Sequence, residues 1–160
     1  MRLFISIELS EDLKKPLIGL MHEMKKAGIK GQYASADNLH LTLAFIGETD
    51  ELPAVREAVS NIHVKPFKLS LSELGNFGDL IWIGAKGNQG LSELAKAVRE
   101  ALDNAGIHYD RKGFLPHITI VRKAAGNYQK IAVPKGVMMV KRISIMKSEV
   151  KDGRRVYRAK

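Results

Sequence analysis

Apolar residues recur along this chain with two periods, and each change of period marks the end of an element. From Arg2 to Glu8, Leu3, Ile5 and Ile7 alternate with Phe4, Ser6 and Glu8, the period-2 signature of a strand. Leu13, Leu17, Leu20, Met21 and Met24 then follow the helical period. Ser10 stands at the N-cap, Glu11 and Asp12 oppose the positive helix end, and Gly28 closes the helix. Gly31 to Asn38, with Tyr33, reads as a connector into a strand over Leu39 to Ile46, which Gly47 closes. Asp50 caps a second helix over about Glu51 to Ile62, with Pro53 tolerated in its first turn. Phe67 to Leu74 and Leu80 to Ala85 form a hairpin around the turn Gly75 to Asp79. A third helix, about Gln89 to Asn104, carries the stripe Leu91, Leu94, Ala95, Val98 and Leu102 and stops at Gly106. His117 to Arg122 is a strand entered through Pro116, where a missing N–H costs least. Lys123 to Lys135 is a loop and Gly136 to Ser148 one long strand. Val150 to Arg158 returns through Asp152-Gly153, a hairpin signal.

Two of these strands are one stretch written twice: His40-Leu41-Thr42-Leu43 and His117-Ile118-Thr119-Ile120. Strand side chains alternate faces, so Leu41, Leu43 and Phe45 are expected inward and His40, Thr42 and Ala44 outward. The second copy places Ile118 and Ile120 inward and His117, Thr119 and Val121 outward. One His-x-Thr arises easily by chance; two copies, each with aliphatics at both inward positions, point to one site built from two halves. Each such strand follows a helix and its connector, an internal duplication of architecture. Hairpins with a few helices predict an α+β fold with antiparallel sheets.

At 160 residues the chain is expected to be one domain, 1–160, with two lobes. The absence of cysteine excludes disulfides and thiolate metal sites and fits the cytoplasm. The apolar run Leu3 to Ile7 is too short for a signal-peptide core, and no stretch approaches membrane-spanning length. A cytoplasmic protein without a membrane partner is expected. The net charge of +9 is uneven: residues 1–80 carry 9 Lys/Arg against 11 Asp/Glu, residues 107–160 carry 14 against 3. A basic segment beside His117 suits a polyanion such as RNA or DNA.

Two imidazoles can serve as general base and general acid, and hydroxyls with a nearby cation can hold oxyanions. A phosphodiester needs all of these, because in-line displacement puts attacking and leaving oxygens on opposite sides. Arg122 would fork onto phosphate oxygens. Its odd offset from His117, however, brings it to the site only if the strand ends or bends there. Neither motif carries a carboxylate or second imidazole at metal-ligand spacing, so no metal or other cofactor is expected. His22 and His63 read as surface or helix-end residues, and Tyr33, Phe77, Trp82 and Phe114 as core packing before base stacking.

The segments Asn38 to Gly47 and Leu115 to Arg122 resemble the two HXTX signatures of the 2H phosphoesterase superfamily. The opening Arg2 to Leu9 and the length resemble its RNA 2′,3′-cyclic phosphodiesterase branch, long called 2′-5′ RNA ligases. The resemblance implies a bilobal fold with pseudo-twofold symmetry, each lobe an antiparallel sheet with helices, and the site in the cleft between. It implies metal-independent hydrolysis of an RNA terminal 2′,3′-cyclic phosphate to a 2′-phosphomonoester, with 2′-5′ joining of tRNA fragments as the reverse direction in some members. Carried over, His40 is the proton donor, His117 the acceptor, Thr42 and Thr119 hold phosphate oxygens, and Arg122 matches the trailing basic residue. A monomer is expected. Two alternatives stand beside this reading: a phosphodiesterase for small cyclic phosphates of nucleotide or ADP-ribose type, and a non-catalytic RNA-binding module. The module would display aromatics on an outward sheet face, where this sequence places His, Thr and small residues.

Overall fold

The computed structural model describes residues 1–160 and resolves the alternating segments into nine strands and three helices. In chain order they are β1 (Arg2–Glu8), α1 (Glu11–Lys26), β2 (Lys30–Tyr33), β3 (His40–Glu48), α2 (Leu52–Ser60), β4 (Phe67–Phe77) and β5 (Leu80–Lys86). There follow α3 (Asn88–Asn104), β6 (His117–Ala125), β7 (Val137–Val140), β8 (Ser144–Lys151) and β9 (Arg154–Ala159), and a short 3-10 turn, Ala36–Asn38, precedes β3. The strands make two antiparallel sheets, ordered β3-β1-β8-β9 and β2-β6-β5-β4-β7.

The duplication is plain in this order. Each His-x-Thr strand pairs antiparallel with the strand that precedes the helix before it: β3 with β1 across α1, β6 with β5 across α3. A hairpin completes each half, β8-β9 in one and β4-β5 in the other. The expected α+β, two-lobed architecture is therefore the one observed. One apolar cluster of 31 residues runs through both halves, with Leu3, Ile5 and Ile7 of β1 and Ile81 and Ile83 of β5 in it. Leu41 and Ile118, the residues behind the two histidines, are fully buried in this cluster. Leu41→Ala or Ile118→Ala should each lower unfolding free energy by about 2–5 kcal/mol, the usual cost of such truncations, read as a shift in denaturant midpoint at constant slope.

Several expectations need correction. Lys30–Tyr33 is a strand, not a connector. It has no apolar alternation because it is an edge strand with an exposed backbone, held by pairing with β6. Gly136 to Ser148 is not one strand. β7 belongs to one sheet and β8 to the other, and exposed Lys141-Arg142 carry the chain between them. The inward residues are Met138 and Val140 before that break and Ile143 and Ile145 after it, so the period-2 phase slips there. β4 runs through Phe77, leaving only Gly78-Asp79 as the turn; Gly78 takes φ +57°, which a two-residue hairpin favours. The second helix begins at Leu52 after Glu51, and the Thr49 hydroxyl, not Asp50, accepts the Glu51 N–H. Ser10 occupies the N-cap of α1, but its hydroxyl makes no capping bond.

Candidate active site

β3 is the outer strand of its sheet, and β6 would be but for the short β2, so the two strands approach each other where the sheets meet. The first four residues of each motif alternate as expected: Leu41, Leu43, Ile118 and Ile120 are buried, and His40, Thr42, His117 and Thr119 are half-buried. Beyond them the pattern breaks in both strands at the same place. Ser6 pairs with Thr42 but Ile5 with Ala44; Trp82 pairs with Thr119 but Ile81 with Val121. Leu43 in β3 and Ile120 in β6 are therefore extra residues, β-bulges, and the phase inverts after each; β3 has a second such irregularity at Ile46. Ala44 and Val121, expected outward, are buried, while Phe45, expected inward, lines the cleft. The same inversion turns Arg122 to the face of Thr119, which removes the difficulty of its odd offset. Phe45 and Arg122 are thus matched positions of the two halves, one aromatic and one cationic.

Both bulged carbonyls are taken up. Ala34 N–H donates to Ile120 O at 2.8 Å, and Arg99 Nε donates to Leu43 O at 3.4 Å, with Asp110 N–H on the neighbouring Phe45 O at 2.8 Å. Gly31 lets β2 reach this part of β6: a Cβ there would lie 2.8 Å from Arg122 O and 2.7 Å from a Val121 methyl.

The two imidazoles are held alike. His40 Nδ1 lies 2.6 Å from the carbonyl of Asn38, and His117 Nδ1 lies 2.7 Å from that of Leu115, each two residues upstream. A carbonyl only accepts, so each Nδ1 carries the proton and only Nε2 is left to gain or lose one. The rings are steadied by aromatics: Phe4 at 4.8 Å and Tyr157 at 4.9 Å from His40, Phe77 at 5.3 Å and Trp82 at 6.1 Å from His117. Burial, opposed by the Asn38 carbonyl, pushes His40 below the usual imidazole range, and the charges of Arg122 and then His117 lower it further. The two halves therefore share one electrostatic neighbourhood. His22, His63 and His108 are exposed elsewhere on the surface.

A cleft of about 740 Å³ opens against the face of the β3-β1-β8-β9 sheet. His40, Thr42, Thr119 and Arg122 line it, with Arg2, Arg154 and Arg155, the aromatics Phe4, Tyr33, Phe45 and Tyr157, and no carboxylate. His117 stands outside this walled part. Sequence reasoning missed Phe4, Phe45 and Tyr157, so the expectation that this face lacks aromatics is wrong. The adjacent inward pairs Leu43-Ala44 and Ile120-Val121 were the available signal of the bulges. Phe77 is 46% exposed and touches His117, against the expectation of core packing. Ser6 and Trp82, matched across the halves beside the two threonines, each bury a polar atom that has no protein partner. Nowhere do three His, Asp or Glu side chains converge as a metal site would need.

Residues 13–152 match the family model of the 2′-5′ RNA ligase superfamily. The RNA 2′,3′-cyclic phosphodiesterase of Methanocaldococcus jannaschii is 34% identical over 137 residues, covering 82% of this chain and 77% of that protein. Its namesake in Archaeoglobus fulgidus is 33% identical over 130 residues, 76% of this chain and 72% of that one. Apo LigT of Escherichia coli superimposes with a TM-score of 0.84 at 28% identity, over 99% of this chain and 93% of LigT, and LigT has also been solved with 3′-AMP and with phosphate. With the family model spanning both His-x-Thr strands and the fold matched end to end, the chain belongs to the 2′-5′ RNA ligase superfamily.

Proposed function

We propose that the chain is a hydrolase that opens RNA terminal 2′,3′-cyclic phosphates to 2′-phosphomonoesters, with His40 as acid and His117 as base. The observation that carries this reading is the matched pair of imidazoles, each with Nδ1 tied to a carbonyl and Nε2 free, on two strands that share a cationic cleft. The names of the relatives point the same way.

The assignment of acid and base is the one the family resemblance implies. Water attacks phosphorus opposite the leaving O3′. His40 lines the walled cleft, and His117 lies outside that lining against Phe77 and Trp82. His117 Nε2 takes the proton of the attacking water, the P–O3′ bond breaks, and His40 Nε2 supplies the proton to O3′. Thr42, Thr119 and Arg122 hold the non-bridging oxygens as charge gathers on them. The product is a 2′-phosphate and a free 3′-hydroxyl, and solvent exchange resets both imidazoles. The free protein disfavours protonated His40; the anionic phosphate opposes that and favours the charged form needed for donation.

The reading extends to a single domain, 1–160, acting as a monomer, since one chain supplies both halves of the site and one core joins them, and to the cytoplasm, which a chain without cysteine fits. tRNA fragments are one source of such RNA ends. The same displacement run backwards, with a 5′-hydroxyl in place of water, gives a 2′-5′ linkage. The test is a short RNA ending in a 2′,3′-cyclic phosphate, incubated with and without EDTA. Ring opening at equal rates in both is the expected outcome, given the donor set of the cleft; an intact ring in both would sink the proposal, and opening lost with EDTA would sink its metal-independent mechanism.

A further inference from the structure

We infer that Arg155, which lines the same cleft as Arg2, forms a second anion subsite that reads a phosphate on the 5′ side of the terminal nucleotide. This rests on the phosphodiesterase reading above and deepens it. Three observations support it.

The cleft does not stop at His40: it continues along β9 to Gly153 and Arg155 at the tip of the β8-β9 hairpin. Tyr157 packs edge-on against His40, and Arg155 lies two residues further along the same face of β9, roughly 7 Å at the rise of a strand. That is about one step of an extended nucleotide backbone.

Charge is handled differently on the two faces of this hairpin. On one, Glu149 pairs with both Arg158 at 2.8 Å and Lys147 at 3.3 Å. On the cleft face Arg155 has no acid partner, and Arg2 has none either; its guanidinium sits 5.1 Å over the Phe45 ring. Cations left without counter-charge along a cleft that holds no carboxylate mark a place for an anion.

Arg155 is also positioned. One of its guanidinium nitrogens donates to the buried Ser148 hydroxyl at 3.1 Å, leaving the rest of the fork free. Its carbonyl accepts from the Asn38 side-chain amide at 2.9 Å, while the carbonyl of Asn38 accepts from His40 Nδ1. One residue thus ties the cation to the imidazole, across 117 positions of sequence.

The test compares three substrates of one base: a nucleoside 2′,3′-cyclic phosphate, its 5′-phosphorylated form, and the dinucleotide ending in the same ring. Adding the 5′ phosphate should raise kcat/KM about 10- to 100-fold. A rise in both longer substrates means that any phosphate serves, a rise only in the dinucleotide means an internucleotide phosphate, and a rise in neither overturns the subsite. In Arg155→Gln the ratio of phosphorylated to unphosphorylated kcat/KM should fall toward one, Arg155→Lys should recover part of it, and the salt slope of log kcat/KM should lose about one unit. An unchanged ratio in Arg155→Gln overturns the assignment. If none of the three is turned over, the phosphodiesterase reading fails, and the subsite is judged by calorimetry with a nucleoside 3′-monophosphate and its 3′,5′-bisphosphate. Tighter binding of the bisphosphate, lost in Arg155→Gln, sustains the subsite, and equal binding ends it.

Discussion

His40→Ala and His117→Ala are each expected to lower kcat on a 2′,3′-cyclic phosphate RNA end by 10²–10⁴, the range for loss of a positioned general acid or base. The double variant should fall little below the worse single one, because the two imidazoles act in one proton relay. A sharper form uses His40→Asn. An amide can still donate to the Asn38 carbonyl that now receives His40 Nδ1–H, but nothing replaces Nε2. If Nε2 performs the chemistry, Asn should be as inactive as Ala. A partly active Asn variant would mean that the imidazole matters as a packed, hydrogen-bonded spacer between Phe4 and Tyr157. Both rings are half-buried and outside the main apolar cluster, so denaturant midpoints should move far less than for Leu41→Ala. That separates lost chemistry from lost fold.

The halves of the site were legible because their information is local. His-x-Thr with aliphatics between is a period-2 pattern, and the preceding helix and turn residues fix where each strand begins. The bulges were not legible in that way. Which residue is extra depends on the partner strand: Ser6 meets Thr42 while Ile5 skips to Ala44, and no local period contains that register. Phe45 and Arg122 were accordingly placed on the wrong face or left undecided. β2 escaped because Lys30, Gly31 and Gln32 bury nothing; its strand conformation comes from pairing with β6. Arg155 and Tyr157 alternate within a basic hairpin that looks solvated until the other sheet closes the cleft above it. The apolar side of the fold could be read from the chain, whereas the cleft side depends on how two sheets, distant in sequence, face each other.

Arg122 offers the second large effect and a direct reading of how its charge acts on His40. Arg122→Met removes a guanidinium from oxygens on which charge develops, and should cost roughly 10²–10³ in kcat/KM, as losing a preorganised oxyanion donor does. Arg122→Lys keeps the charge but not the fork and should fall between. The pH profile carries the further information. After burial, Arg122 is the largest charge holding His40 below its usual range, so Arg122→Met should let the His40 pKa rise, and Arg122→Lys should leave it nearer to where it was. The profile reports the pKa values of the pair and not their roles, so the limb that moves in Arg122→Met is the one that carries the His40 pKa, whether that ring gives or takes the proton. A moved limb therefore shows that the guanidinium charge acts on His40 as well as on the phosphate. With neither limb moved beside an intact rate loss, Arg122 would act on the phosphate alone and its charge would not reach the donor.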